Sequence, residues 1–554
     1  MPYNIKLNNK LIFTLLWALI FILYLPAAKA GFVMDFTGWL DQVKNHSFSE
    51  YINRDNFNVK SLYQLWQLFV YVFYHIFGVN PWAWHILFVT SQASVSLLVY
   101  IFFQRLFSDS GIEKAGSIAL TGTILYTICP HLSEVIVWEP TYHYFQGMAL
   151  LLLILICTQA YFHTRDKKYV WFAISFYTLS LFTLEYFYLT PLFVVSLGLY
   201  YRHTLKYNKK LFIGILLYFI VPFIILLIAR TVLFKVLYHD WISRIGTGTL
   251  AQSFYDYLVK PPKYFFHIVL LGRYFPFGIR QKVYAFCATT KGLIIFYSLF
   301  LLICTYLILR FKQLSGKARV SAFIVLYIVL ATVLVLPMWF PELQLVTCDR
   351  YTYMLCAFIY MLIAVLISYI PYKLISIASL ALFALINVRY TVQVNRYWMK
   401  SARINNNLLK TFPGTDNKIT ILLDQPENMH GVPMIQATSG GEFKLMYNLL
   451  MPGKITGDVL DAASFNMETP EDGAHIMVVS DSILHVTLNQ WGTWWWYDGF
   501  GAVDRENEFY KIHFYDGHWY DLKLKKPAAG YRLLFQTGGQ WKIVDWDKKN
   551  VDQY

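Results

Sequence analysis

An α-helical polytopic membrane protein with about eleven transmembrane helices and a C-terminal β-rich extracytoplasmic domain is the fold class this sequence predicts. Three observations lead there. Of the 554 residues, 57% are hydrophobic, 19% aromatic and 14% charged, where a soluble domain carries about 25% charge. Apolar runs of spanning length follow one another through residues 1–400. Beyond residue 415 the runs shorten, alternate in polarity and are separated by Gly, Asp and Pro.

Taking the elements in order, the runs place spans near 11–27, 82–105, 115–129, 140–162, 169–184, 186–201, 211–233, 292–310, 319–339, 351–370 and 373–391. The first run follows Lys6 and Lys10 and ends in Ala-Ala-Lys-Ala, which could pass for a signal-peptide cleavage site. We read it as a retained span, because a loop with functional character follows directly. With the N-terminus inside, each inner loop is basic: Arg105 and Lys114, then Arg165, Lys167 and Lys168. Arg202, Lys206, Lys209 and Lys210 follow, then Arg310, Lys312, Lys317, Arg319 and Lys373. An odd number of spans puts the C-terminal domain outside.

Charge is divided unevenly. Residues 1–400 hold 33 Lys+Arg against 14 Asp+Glu, and residues 401–554 hold 14 against 19. A basic membrane part suits anionic lipid or an anionic substrate. Nucleic acid is excluded as a partner, because no basic tract sits on a soluble module. Cys129, Cys157, Cys287, Cys304, Cys348 and Cys356 lie in or near apolar segments, with no Cys/His spacing that calls for a metal.

Two outer loops carry the chemistry, 28–81 and 234–291. The first opens with Gly31–Gln42, in which Asp35 and Asp41 stand among aromatic and small residues at the lip of a span. Acids there are costly unless paired or solvated, which makes them functional candidates; a solvated loop is the plain alternative. Ser61–Gly78 then reads as an aromatic amphipathic helix in the outer interface, with an extra span as the plain alternative. The second loop holds Lys235, Arg244, Lys260, Lys263, Arg273, Arg280, Lys282 and Lys291, against the positive-inside bias. A phosphate-bearing ligand explains these cations better than a bare solvated surface. Residues 401–414 form a linker helix. Residues 415–554 give strands near Lys418–Leu423, His475–Val479, Ile483–Leu488, Phe509–Phe514, Tyr531–Phe535 and Trp541–Val544, with a helix over Glu442–Leu450. Trp491, Trp494, Trp495, Trp496 and Tyr497 suit a sugar-stacking face or a β core.

Five short pieces, in order, carry a family resemblance: AGFVMDF (Ala30–Phe36), the stretch Phe77–Phe107 opening FGVNPWAWH, CPHLSEVIVW (Cys129–Trp138), LLGRYF (Leu270–Phe275) and CDRYTYM (Cys348–Met354). Together they resemble the GT-C class of membrane glycosyltransferases, and within it the protein O-mannosyltransferase-like branch, including the transmembrane O-mannosyltransferases that carry tetratricopeptide repeats. The likeness covers roughly residues 10–413. It departs at Phe36, where the family has a second acid, and beyond residue 415, where a β-rich domain replaces the repeats.

The resemblance implies a GT-C-like transmembrane catalytic domain over residues 1–400. It implies an enzyme that moves a sugar from a polyprenyl-phosphate donor to a hydroxyl acceptor (protein, glycan or lipid) on the non-cytoplasmic face, with inversion. Asp35 is then the general base and Asp41 the second choice. Arg273 and Arg350, supported by Lys263 and Arg244, are expected to hold the donor phosphate, because the guanidinium fork matches phosphate oxygens. An ion pair of Arg350 with Asp349 or Glu342 is its plain alternative. His131 and Glu134 share a helix face, as do Glu139 and His143, and orient the acceptor or support the structure. No cofactor is required; a divalent metal is allowed but not indicated. The expected partners are the lipid-linked donor, the acceptor and membrane lipids. The expected location is a bacterial inner membrane rather than endoplasmic reticulum, with the C-terminal domain periplasmic. Two other readings are a transporter or flippase of lipid-linked saccharide, and a non-catalytic glycan-assembly protein. The first would want paired charges at mid-membrane and an internal repeat, and the sequence has neither.

Overall fold

The structure is a computed structural model that describes residues 8–33, 35–53, 64–204, 209–239, 254–310, 314–336, 349–415, 418–435, 442–488, 493–495, 504–515 and 519–554. Arg244, Trp491, Trp496 and Tyr497 lie outside these residues, as do the side chains of Asp35, Trp494 and Trp495.

Helix α1 (Asn9–Tyr24) is extended by a 3-10 turn, Leu25–Lys29. Three short helices follow: α2 (Asp35–Asn45), α3 (Phe48–Asn53) and α4 (Gln64–Phe77). α2 buries Phe36, Leu40 and Val43, which is one face of a helix. The Phe36 ring lies parallel to Trp66 at 6.3 Å and edge-on to Trp84 at 5.1 Å. Phe36 therefore pins the first loop onto the helices that follow. α5 (Pro81–Asp109) starts where Asn80 caps it, its side chain accepting from the Trp82 N–H, with Pro81 at the first helical position.

α6 (Ala115–Thr127) is followed by a bend of 57°. Pro130 has no N–H to continue the ladder, and the chain re-enters as a 3-10 turn, Pro130–Leu132, then α7 (Ser133–Val137). A second 3-10 turn, Glu139–Thr141, leads into α8 (Tyr142–Thr164). Next come α9 (Lys168–Ser180), α10 (Thr190–Thr204) and α11 (Lys209–Tyr238). The basic loop expected over 234–291 contains α12 (Phe254–Val269), a 3-10 turn Gly272–Tyr274, and α13 (Phe277–Ala288), which leads at a 75° bend into α14 (Thr290–Arg310). α15 (Gly316–Val335), a 3-10 turn Asp349–Thr352, α16 (Tyr353–Ile367) and α17 (Lys373–Thr411) complete the helical part.

Among the described residues, seven helices are long and apolar enough to cross a membrane, or up to nine if each bent pair is one span. The expected spans 169–184 and 186–201 are corrected. α9 has 13 residues and α10 has 15, so each is roughly 20 Å long against a hydrocarbon core of about 30 Å. Neither crosses alone. Each buries one side against neighbouring helices, as Tyr177 and Tyr201 do with no exposed surface, while Trp171, Phe172 and Leu199 stay exposed.

The last helix does not stop at the end of its apolar run. α17 is continuous for 39 residues, and its Ile404, Leu408, Leu409 and Phe412 are part of the hydrophobic core of the C-terminal domain. That domain contains β1 (Ile419–Leu422), β2 (Gln425–Met429), β3 (Val432–Pro433), α18 (Glu442–Leu450), β4 (Val459–Asp461), β5 (Ser464–Met467), β6 (Ala474–Ser480) and β7 (Ile483–Leu488). It continues with β8 (Thr493–Trp495), β9 (Arg505–Glu506), β10 (Tyr510–Tyr515), β11 (Trp519–Leu524), β12 (Tyr531–Thr537), β13 (Gln540–Ile543) and β14 (Asp552–Gln553). The sheets run β13-β12-β1-β4, β14-β6-β7-β11-β10-β9 and β3-β2-β5-β8. β1 pairs in parallel with β12 and β4. Buried Asp424 ties two segments together by accepting from the Gln536 N–H at 2.7 Å and the Ala474 N–H at 3.1 Å. α18 packs against α2, so the domain rests on the helix that Asp35 opens.

Candidate functional site

Four segments converge on Asp349, each delivered by a break in regular structure. His131 lies in the turn that Pro130 creates, His267 near the end of α12, Arg273 in the 3-10 turn after it, and Asp349 in the turn that leads into α16. His131 Nδ1 is 3.2 Å and His267 Nε2 2.9 Å from Asp349 Oδ1. Arg273 forms an ion pair with the other carboxylate oxygen. The three partners and Asp349 itself are all buried, Asp349 completely. A buried carboxylate is sustained only by such partners.

The hydrogen bonds set the tautomers. Burial holds the His267 pKa well below the usual imidazole value, so the ring is neutral. Its Nε2–H donates to Asp349, and Nδ1, 3.1 Å from the Tyr284 hydroxyl, accepts from it. Arg273 has a second anchor: its Nη2 donates to the His430 carbonyl at 2.8 Å, in the β2–β3 turn of the C-terminal domain. Arg280 Nη1 donates to the Arg273 carbonyl at 3.1 Å.

A second ion pair adjoins the first. Glu134 on α7 accepts from the Arg350 backbone N–H at 2.8 Å and pairs with its guanidinium. The guanidinium carbon lies 5.1 Å from the Trp138 ring centre and 4.7 Å from that of Tyr351. These ring faces favour a cation. The Arg350 side chain is 21% exposed while Glu134 is 4% exposed, so Arg350 is the open side of this pair.

The structure thus brings together Arg273, Arg350, His131 and Glu134 among the residues singled out by sequence. It pairs Arg350 with Glu134 and gives Asp349 to Arg273. Glu139, in the 3-10 turn before α8, and His143, in the first turn of α8, are buried. Glu139 Oε2 has no hydrogen-bond partner among the described residues, and Glu139 lines a small cavity with Gly31 and His85. Lys263 is buried on α12. Asp41 accepts from Asn45 Nδ2 at 2.9 Å on its own helix. Asp35 is the first residue of α2, four residues beyond Gly31 in the chain.

Sequence reasoning missed His267 and treated Asp349 only as a neighbour of Arg350. A lone His in an amphipathic helix gives no signal of its partners. Asp349 stands in the Cys348–Met354 stretch, and its adjacency to Arg350 concealed that the two side chains take different partners.

No protein-family model matches the chain, and no curated protein sequence does. Among solved structures, the chain is similar to the oligosaccharyltransferase of Archaeoglobus fulgidus, solved in complex with Zn and sulfate. The identity is 11%, the TM-score 0.37, and the match covers 80% of this chain and 62% of that one. A likeness that weak carries no argument about chemistry.

His131, His267 and Asp349 offer ligand atoms that all lie within 4.8 Å of one another. Two imidazoles and a carboxylate suit a zinc-type ion. Arg273 already balances the same carboxylate, so an ion bound there would share Asp349 with a guanidinium.

Proposed function

We propose that the chain is a glycosyltransferase of the GT-C kind, taking a sugar from a polyprenyl-phosphate donor to a hydroxyl acceptor on the non-cytoplasmic face. The observation that carries this reading is the pair of carboxylate-anchored arginines, buried Arg273 and partly exposed Arg350, in separate turns of the same site. Guanidinium groups held by Asp349 and Glu134 are fixed before a ligand arrives, and phosphate oxygens match their geometry. Preorganised cations stabilise the charge that develops on a departing phosphate.

In this proposal the acceptor hydroxyl oxygen attacks the anomeric carbon, and the bond from that carbon to the phosphate oxygen breaks. Polyprenyl phosphate leaves with the electron pair, and the hydroxyl proton passes to the Asp35 carboxylate. Arg350, the more exposed cation, meets the phosphate; Arg273 holds Asp349 and the turn around it. Asp41 is the alternative base, and Lys263 and Arg244 supply positive potential around the donor. His131, Glu134, Glu139 and His143 position the acceptor side. A dication, if bound, would lie at His131, His267 and Asp349 and add positive charge beside Arg273.

The test is Asp35→Asn in the full chain, assayed for transfer from a polyprenyl-phosphate sugar in lipid vesicles. Transfer should fall at least about 100-fold, the usual worth of a general base, with the thermal unfolding midpoint unchanged. Wild-type transfer by that variant removes Asp35 as the base. Unchanged transfer by Arg350→Gln removes the phosphate reading itself.

A further inference from the structure

The outer part of α17 has two faces, and only one is used by the C-terminal domain. Ile404, Leu408, Leu409 and Phe412 enter its core. On the other side, Arg403, Asn406, Asn407 and Lys410 line a groove of about 360 Å³, closed opposite by the 3-10 turn that ends α1, with Lys29. Pro26 and Met399 give it an apolar wall. Three cations and two amides line this groove and, among the described residues, no carboxylate does. Among the described residues none of the three cations has an ion-pair partner, and all three are exposed.

The depth of the groove follows from α1. The apolar run of that helix ends just before Lys29, and Asn395 Nδ2 donates to the Leu23 carbonyl at 2.7 Å. Level with residues 23–29, the stretch of α17 from Met399 to Arg403 therefore stands at the edge of the hydrocarbon layer, where lipid phosphates lie.

We infer that this groove is a binding site for the phosphate of an anionic membrane lipid headgroup, separate from the Arg273 and Arg350 site. Lys29 and Arg403 take the phosphate oxygens, Asn406 and Asn407 donate from their amides, and Pro26 and Met399 meet the start of the acyl chains. The lipid braces α17 where it passes from membrane helix to domain core. This does not rest on the glycosyltransferase reading, since it concerns lipid retention and not turnover.

The full chain is placed in phosphatidylcholine nanodiscs with or without phosphatidylglycerol. Bound lipid is read by native mass spectrometry and the unfolding midpoint by intrinsic fluorescence. Phosphatidylglycerol should be retained and raise the midpoint. The triple variant Lys29→Gln, Arg403→Gln, Lys410→Gln should bind it roughly 100-fold more weakly and lose the rise, at the usual worth of a basic side chain near a membrane surface. The charge-conserving triple Lys29→Arg, Arg403→Lys, Lys410→Arg should keep both. If the neutral triple does not fold, the single Arg403→Gln should bind roughly fivefold more weakly. Equal retention by wild type and the neutral variants overturns the proposal. So does an equal midpoint rise from soluble inorganic phosphate in neutral nanodiscs, which would make the ligand a water-borne anion.

Discussion

Asp349 is the residue on which most of the site's internal charge balance turns. Asp349→Asn keeps the shape but leaves Arg273 buried without its counter-charge, and removing one partner of a buried pair costs about 3–5 kcal/mol. We expect a lower thermal midpoint for Asp349→Asn, partly restored by adding Arg273→Met, which removes the stranded cation; a midpoint unmoved by Asp349→Asn would mean the pair contributes little. Glu427 on β2 offers a pH test. Burial raises its pKa from 4.5 to about 7, and its Oε2 has no hydrogen-bond partner among the described residues. The folded state therefore holds a proton that the unfolded state has released between about pH 4.5 and 7, so stability falls as pH rises through that window. Glu427→Gln should remove this slope and be more stable than wild type at pH 8 by about 3 kcal/mol, as measured by thermal melts across pH. Arg273 and Arg350 were legible in the sequence because charged residues at span edges stand out. Their partners were not, because Glu134 and His131 are more than 200 positions from Arg350 and Asp349 in the chain.

At the scale of elements, the interrupted helices do the positioning. Pro130 turns α6 into α7 and so presents both His131 and Glu134. A glycine shows how tightly such turns are held: a Cβ on Gly147 of α8 would run into the ring of Phe187, which is itself buried in the 3-10 turn Glu185–Leu189. Gly147→Ala should lower stability by about 1–3 kcal/mol through overpacking, read as a drop in unfolding midpoint that Phe187→Leu partly relieves. Helices α9 and α10 carry the same lesson in reverse. Their apolar content suggested spans, but hydropathy does not fix where a helix starts and stops, and at 13 and 15 residues each is too short to cross alone. The bend at Pro130 was also visible as a proline in sequence; its angle and the residues it faces were not.

For the whole molecule, α17 joins the two parts. The same helix supplies Asn387 and Asn395 to the helical bundle, where Asn387 Oδ1 accepts from the Tyr360 hydroxyl at 2.6 Å, and Ile404 to Phe412 to the β-rich core. A chain ending at residue 415 would uncover Ile404, Leu408, Leu409 and Phe412, each buried at about 1.5–3 kcal/mol, and strip α18 from α2. We expect that truncation to aggregate or to melt earlier than the full chain, by size-exclusion chromatography and thermal unfolding in detergent. A truncation that stays monodisperse with an unchanged midpoint would show the two parts to be independent.

The amino-acid order alone determined that apolar helices fill residues 1–400 and that short strands follow, because burial of apolar surface in lipid or in a β core leaves a local period in the sequence. Several strands and the helix Glu442–Leu450 were read directly from that period. Only the tertiary structure decided which carboxylate holds which arginine, that α12 delivers His267 to Asp349, and that the C-terminal domain reaches Arg273 through the His430 carbonyl. The reason is physical: hydrophobic periodicity is a property of neighbours in sequence, whereas a buried charge is sustained by whatever partner the fold brings within hydrogen-bond reach.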